Sequence, residues 1–178
     1  GRAKYFHEQI GGNFRISTMG PDGSGLYDAL QPAVVYNPDE NAYLVVWSGD
    51  DDSGGLVNDE FEIWAQRIDA SGTLIGGNLR ISDLGGTGDF HFAAAVPDVV
   101  YNTQELVYLI VWGGDDNVGG LVDGEYEVFG QRLDAGHGEL GHHFPQPRRA
   151  DLVAADQRKN VAPRFHRVAR IGLDHGHQ

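Results

Sequence analysis

This chain has no cysteine, so disulfides and thiolate metal sites are excluded, while the compartment is left undecided. Positive charge is scarce: 13 Lys and Arg stand against 26 Asp and Glu, a net charge of -13, and no basic cluster occurs before residue 142. Phosphate neutralisation needs such clusters, so a nucleic-acid partner is not expected, whereas cations and neutral ligands are. No apolar run approaches the ~20 residues that cross a bilayer, and no basic-then-apolar leader is present, so no membrane span is expected. The G-x-S-x-G elbow, the P-loop and H-E-x-x-H are missing as well, and with them any motif-based case for a specific reaction. Glycine is what abounds, with 26 residues, beside paired runs of Val, Tyr and Trp. That composition favours strands joined by tight turns. The first residue, Gly1, is not Met, which reads as a processed product or a piece of a longer protein.

The chain repeats itself. At an offset of 65, IGGNFRIS (10–17) matches IGGNLRIS (75–82), PAVVYN (32–37) matches PDVVYN (97–102), and AYLVVWSGDD (42–51) matches VYLIVWGGDD (107–116). GGLVNDEFEIWAQRIDA (54–70) then matches GGLVDGEYEVFGQRLDA (119–135), and over these 61 aligned positions 33 are identical. Equal spacing with changed residues means that each copy solves the same packing problem, as in architectures whose units bury their faces against neighbours. The organisation read from this is a partial repeat strand at 1–9, repeat 1 at 10–74, repeat 2 at 75–141, and a basic His- and Arg-rich tail at 142–178, diverged or poorly ordered.

Within repeat 1, Ala33 to Tyr36 and Tyr43 to Trp47 are β-rich runs around the turn formers Asn37 to Asn41, a hairpin pattern. Glu60 to Asp69 and Leu79 to Ser82 supply a third and a fourth strand. In the third, Phe61, Ile63 and Ala65 alternate with Glu62, Trp64, Gln66 and Ile68, so both faces carry bulky groups and both should be buried. An all-β, propeller-like fold of four-stranded antiparallel blades is expected, with a two-layer β-sandwich of the two repeats as the alternative. Two units are fewer than a closed propeller needs, so a homo-oligomer or a fragment of a larger repeat protein is expected.

Chemistry is concentrated in the loop SGDDDSGGLVNDEFE (48–62) and its copy GGDDNVGGLVDGEYE (113–127). Asp50, Asp51, Asp52, Asp59 and Glu60, and in the copy Asp115, Asp116, Asn117, Asp123 and Glu125, are the hard oxygen ligands that calcium takes six to eight at a time. A solvated acidic turn opened by Gly54 and Gly55 is the competing reading. Glu62 and Glu127 lie inside the third strands and are expected to pair with Arg67, Arg132, Arg15 or Arg80. Trp47 and Trp112, which end the second strands beside the loops, and Tyr36 and Tyr101 are candidates to stack on a sugar ring, or else they fill the core.

The consensus P-x-V-V-Y-N, Y-L-V-V-W-x-G-D-D, E-[IV]-x-x-Q-R-[IL]-D-A and G-G-N-x-R-I-S resembles the tandem repeats of large bacterial secreted or surface proteins of propeller type, over residues 10–141. More distantly, the acidic loop is similar to the calcium-bearing integrin-type propeller repeat, with Asp50, Asp51, Asp52 and Asp115, Asp116, Asn117 at its ligand positions. The resemblance implies a secreted or cell-surface location and an extracellular calcium-stabilised binding or adhesion module with a carbohydrate or cell-surface ligand. A carbohydrate-active hydrolase or lyase using loop carboxylates and a purely structural repeat subunit are the alternatives.

Overall fold

The structure is a computed structural model that describes residues 8–136. The expectations for residues 1–7 and for the tail at 142–178 lie outside the described residues. Just under half of the described chain is strand, and its single helical turn is a 3-10 turn at Ser53–Gly55. Seven antiparallel strands form two sheets. Sheet A has the order β1 (Ala29–Asn37), β2 (Ala42–Asp50), β3 (Phe61–Asp69), β4 (Leu74–Arg80), and sheet B the order β5 (Ala94–Asn102), β6 (Val107–Asp115), β7 (Tyr126–Asp134).

The devices of the first hairpin of sheet A recur in sheet B at the same offset. The β1–β2 hairpin is closed by Asn37, whose side-chain oxygen accepts from the Asp39 N–H at 2.9 Å, and Asn102 accepts from the Gln104 N–H at 2.9 Å. Both turns end on a residue in the left-handed region, Asn41 and Leu106. The register slips between Leu30 and Ala33 in β1 and between Ala95 and Asp98 in β5, with Gln31 and Val96 at positive φ in the two bulges.

β3 is buried on both sides, as its alternation requires. Ile63 and Ala65 join Leu44 and Val46 in the core that sheet A shares with sheet B, facing Tyr108, Ile110 and Trp112. Trp64 and Ile68 join Val45 and Trp47 on the opposite face, under Ile16 and Met19 of the entering segment. Each such side chain contributes roughly 1.5–3 kcal/mol by leaving water. Glycine is required where these layers meet: a Cβ on Gly49 would come within 2.6 Å of Met19 Sδ and 2.9 Å of both Trp47 and Trp64, and one on Gly114 would collide with Leu84.

The fourth strand differs from its expected range, beginning at Leu74 and ending at Arg80. Gly76 and Gly77, which read as turn, lie inside it as a bulge. Between the pairs Arg67–Ile75 and Ala65–Leu79 the β4 side carries the extra residues. Gln66 fills that bulge, donating from Nε2 to the Ile75 carbonyl at 2.9 Å and accepting at Oε1 from Asn78 at 2.8 Å. β4 thus starts repeat 2 in sequence while completing the sheet of repeat 1.

Candidate functional site

The acidic loop joins β2 to β3, and its two ends are held by the strand pairing of Asp50 with Phe61. Inside it the carboxylates turn to backbone N–H groups. Asp51 Oδ1 accepts from Ser53 N at 2.9 Å, Asp50 Oδ2 from Asp59 N at 3.0 Å, and Glu60 Oε2 from Val57 N at 2.8 Å. Asp59 adopts a positive φ to present that N–H, and glycine stands at its equivalent, Gly124, whose N–H reaches Asp115 Oδ2 at 2.8 Å. In the copy Asp116 Oδ1 accepts from Val118 N at 3.2 Å and Glu125 Oε2 from Val122 N at 3.2 Å. These bonds explain why the two loops share one shape: each carboxylate satisfies donors that a loop of this size cannot pair with other backbone.

One oxygen in each loop is left over. Asp50 and Asp115 are 0 % and 2 % exposed, and in both the second carboxylate oxygen, Oδ1, is buried without a partner. Burial raises the Asp50 pKa, and its bond from the Asp59 N–H offsets part of that rise. An unpartnered buried carboxylate oxygen is costly, and a proton or a cation would relieve the cost. Asp52, Asp59, Asn117 and Asp123 are exposed. Asp52 Oδ2 accepts from the Tyr27 hydroxyl at 2.8 Å, which raises the Tyr27 pKa. Among the described residues no three His, Asp or Glu side chains converge as a ready-made metal cluster.

Glu60 and Glu62 do something the sequence does not announce. Both are fully buried, and both reach across to the segment that carries the chain from β4 to β5. Glu60 accepts from Gly88 N at 3.0 Å. Glu62 accepts from the Ser82 hydroxyl and, at 2.9 Å, from Leu84 N. Burial pushes the Glu62 carboxyl up to about 7. The expected arginine pairs are made with other acids: Arg67 with Glu40 at 2.6 Å and Arg80 with Asp83 at 3.7 Å. The sequence carries only half of this signal: the 65-residue offset keeps Glu at 62 and 127 and Ser at 17 and 82, without joining either Glu to a Ser.

The aromatic candidates divide. Trp47 and Trp112 are core residues whose rings are enclosed. Tyr36 is exposed and donates to Asn41 Oδ1 at 2.9 Å, and Tyr101 donates to Asp39 Oδ2 at 2.7 Å, its pKa pushed up to about 12 by desolvation and by that carboxylate. Tyr108, which no sequence argument singled out, is fully buried between the sheets and accepts from Asn37 Nδ2 at 2.9 Å.

The chain matches no protein-family model, no curated protein and no solved structure. Its chemistry must therefore be read from these residues alone. A shallow apolar groove of about 540 Å³ opens on the outer face of sheet A, lined by Ile10, Phe14, Val34, Tyr43, Val45 and Ile68 among others. No described helix is long and apolar enough to cross a membrane.

Proposed function

We propose that this chain is a run of stacked, propeller-type β-repeats serving as a non-catalytic binding or adhesion module of a secreted or surface protein. The observation that carries this reading is the way the sheets meet. Sheet B applies its Tyr108, Ile110 and Trp112 face to the Leu44 and Val46 face of sheet A, so unlike faces are joined. A head-to-tail contact of this kind repeats indefinitely or closes into a ring, which is how blades succeed one another. The exposed turns at one end then present equal sites, and avidity accumulates from weak single contacts. Carbohydrate is the ligand class to try first. Retention of the full chain on immobilised polysaccharides, without turnover of them, is the expected result; product release that disappears in Asp50→Asn and Asp115→Asn would replace this reading with a hydrolase or lyase.

Calcium is the second reading, favoured by the duplicated Asp50 and Asp115 Oδ1 atoms, buried and unpartnered. Calcium there would take one carboxylate oxygen per loop and draw its other ligands from loop carbonyls, neighbouring carboxylates and water. Calcium titration of the full chain should raise Tm, and Asp50→Asn should abolish the part due to loop 1. A Tm indifferent to both calcium and chelator would end the calcium reading and leave a protonated or strained carboxyl in its place.

A further inference from the structure

Among the described residues, the surfaces that the first repeat buries are open in the second, and the segment that covers them in the first repeat has an unpaired twin. β4 (74–80) pairs with β3, and the residues 65 positions earlier, 9–15, at the start of repeat 1, pair with no strand among the described residues. They nonetheless keep the sequence IGGNFR against IGGNLR, and Gly11 holds the same positive φ as Gly76. The outer edge of β7, twin of β3, has no strand beside it among the described residues. Its open face carries Leu109 and Val128, 42 % and 79 % exposed, where Leu44 and Ile63 are covered.

The side chains on the two surfaces correspond bond for bond with the β3–β4 junction. Gln66, which fills the β4 bulge and holds Asn78, has its twin in Gln131, and Asn78 has its twin in Asn13. Glu62, held by Ser82 and Leu84 N, corresponds to the exposed Glu127, and its donors to Ser17 and Met19 N. Glu60, held by Gly88 N, corresponds to Glu125, and its donor to Gly23 N. The chain's own residues at the matching offset are a poorer complement. They put His143 for Asn78, Pro145 for Arg80, Pro147 for Ser82 and Val153 for Gly88, and a proline has no N–H for the ladder.

We infer that residues 9–23 of one copy of this chain dock on the β7 edge and open face of sheet B of a second copy, adding a fourth strand and reproducing the sheet A to sheet B junction between chains. This rests on the stacked-repeat reading and names its partner, a second copy of the same chain. The groove on the outer face of sheet A, at Tyr43 and Val45, is then filled by the Leu109 and Val111 face of the preceding copy, as Tyr108 and Ile110 are covered by Leu44 and Val46 within the chain.

Light scattering of the full chain tests this with two variants at positions exposed in the single chain, whose fold should stay intact by circular dichroism: Val128→Lys on the accepting face and Ile10→Asp on the donated segment. The wild type should exceed the 19.4 kDa of one chain, increasingly with concentration, and each variant alone should fall back to that mass. Mixed in equal amounts, the variants retain one intact surface of each kind and should form a dimer and nothing larger. A wild type that stays at 19.4 kDa up to about 0.5 mM, far above a micromolar Kd, overturns the inference and leaves the ligand-binding reading standing. Assembly that Val128→Lys dissolves and Ile10→Asp does not overturns strand donation while keeping face-to-face stacking. A mixture that remains monomeric overturns the head-to-tail order.

Discussion

Leu44 and Leu109 occupy the same place in their repeats, as do Ile63 and Val128, yet the first of each pair is 1 % and 0 % exposed and the second 42 % and 79 %. The backbone around them hardly differs: the same bulge, the same turn asparagine and the same loop bonds recur. What separates the two sheets is their neighbour. Sheet A is covered on one face by Ile16 and Met19 and on the other by sheet B, while the described residues cover sheet B on one face only. Local structure in this chain is therefore written within each repeat, whereas burial is conferred by the next one.

Substitution in pairs breaks or sharpens that contrast, and the largest effect belongs to the core leucines. In dilute solution Leu44→Ala should cost about 2–5 kcal/mol in denaturant unfolding and Leu109→Ala less than about 1 kcal/mol. Equal losses would mean that Leu109 is covered even in a single chain. Gly114→Ala comes next, because its Cβ meets Leu84 at the seam between the sheets. A cost of about 1–3 kcal/mol is expected, with sheet B separating first in hydrogen exchange.

The asparagine pair bears on an inter-sheet hydrogen bond. Asn37 and Asn102 both accept from the two following turn N–H groups, and Asn37, buried where Asn102 is exposed, also donates to Tyr108 and to Glu40. Asn37→Ala should therefore exceed Asn102→Ala by roughly 1–2 kcal/mol, and that difference should narrow in a Tyr108→Phe background.

A further contrast is a slope in pH. Because burial lifts Glu62 from 4.5 to about 7, the folded chain binds that proton more tightly than the unfolded chain. Its contribution to stability is present below pH 4.5 and is lost as the pH rises to about 7. Glu62→Gln should flatten the Tm profile across this window. If Glu62→Gln keeps that slope, another group is its source.

Much of this was legible in advance from particular residues. The alternation of Ile63 and Ala65 with Trp64 and Ile68 announces a strand buried on both sides, and the Asn37 to Asn41 turn announces the first hairpin. β4 was harder, because Gly76 and Gly77 carry a turn signature wherever they stand, and only the side chain of Gln66 makes them a bulge within a strand. The loop carboxylates were legible as a cluster but not by their partners. Backbone N–H groups carry no sequence signature, so bonds such as Asp50 to Asp59 N and Glu60 to Gly88 N had no letter to announce them. The arginine pairs escaped for a similar reason, since Glu40 reaches Arg67 only once the hairpin brings them together.

The strand that straddles the repeat boundary has a consequence for how such a protein grows. Because β4 opens one 65-residue copy and closes the sheet of the copy before it, the duplicated segment and the sheet are out of phase. Excising one period, or inserting another, leaves every remaining junction of the same kind as before. The length of an array built this way is set by the gene's copy number and not by any residue, so lineages can lengthen or shorten it without inventing a new interface.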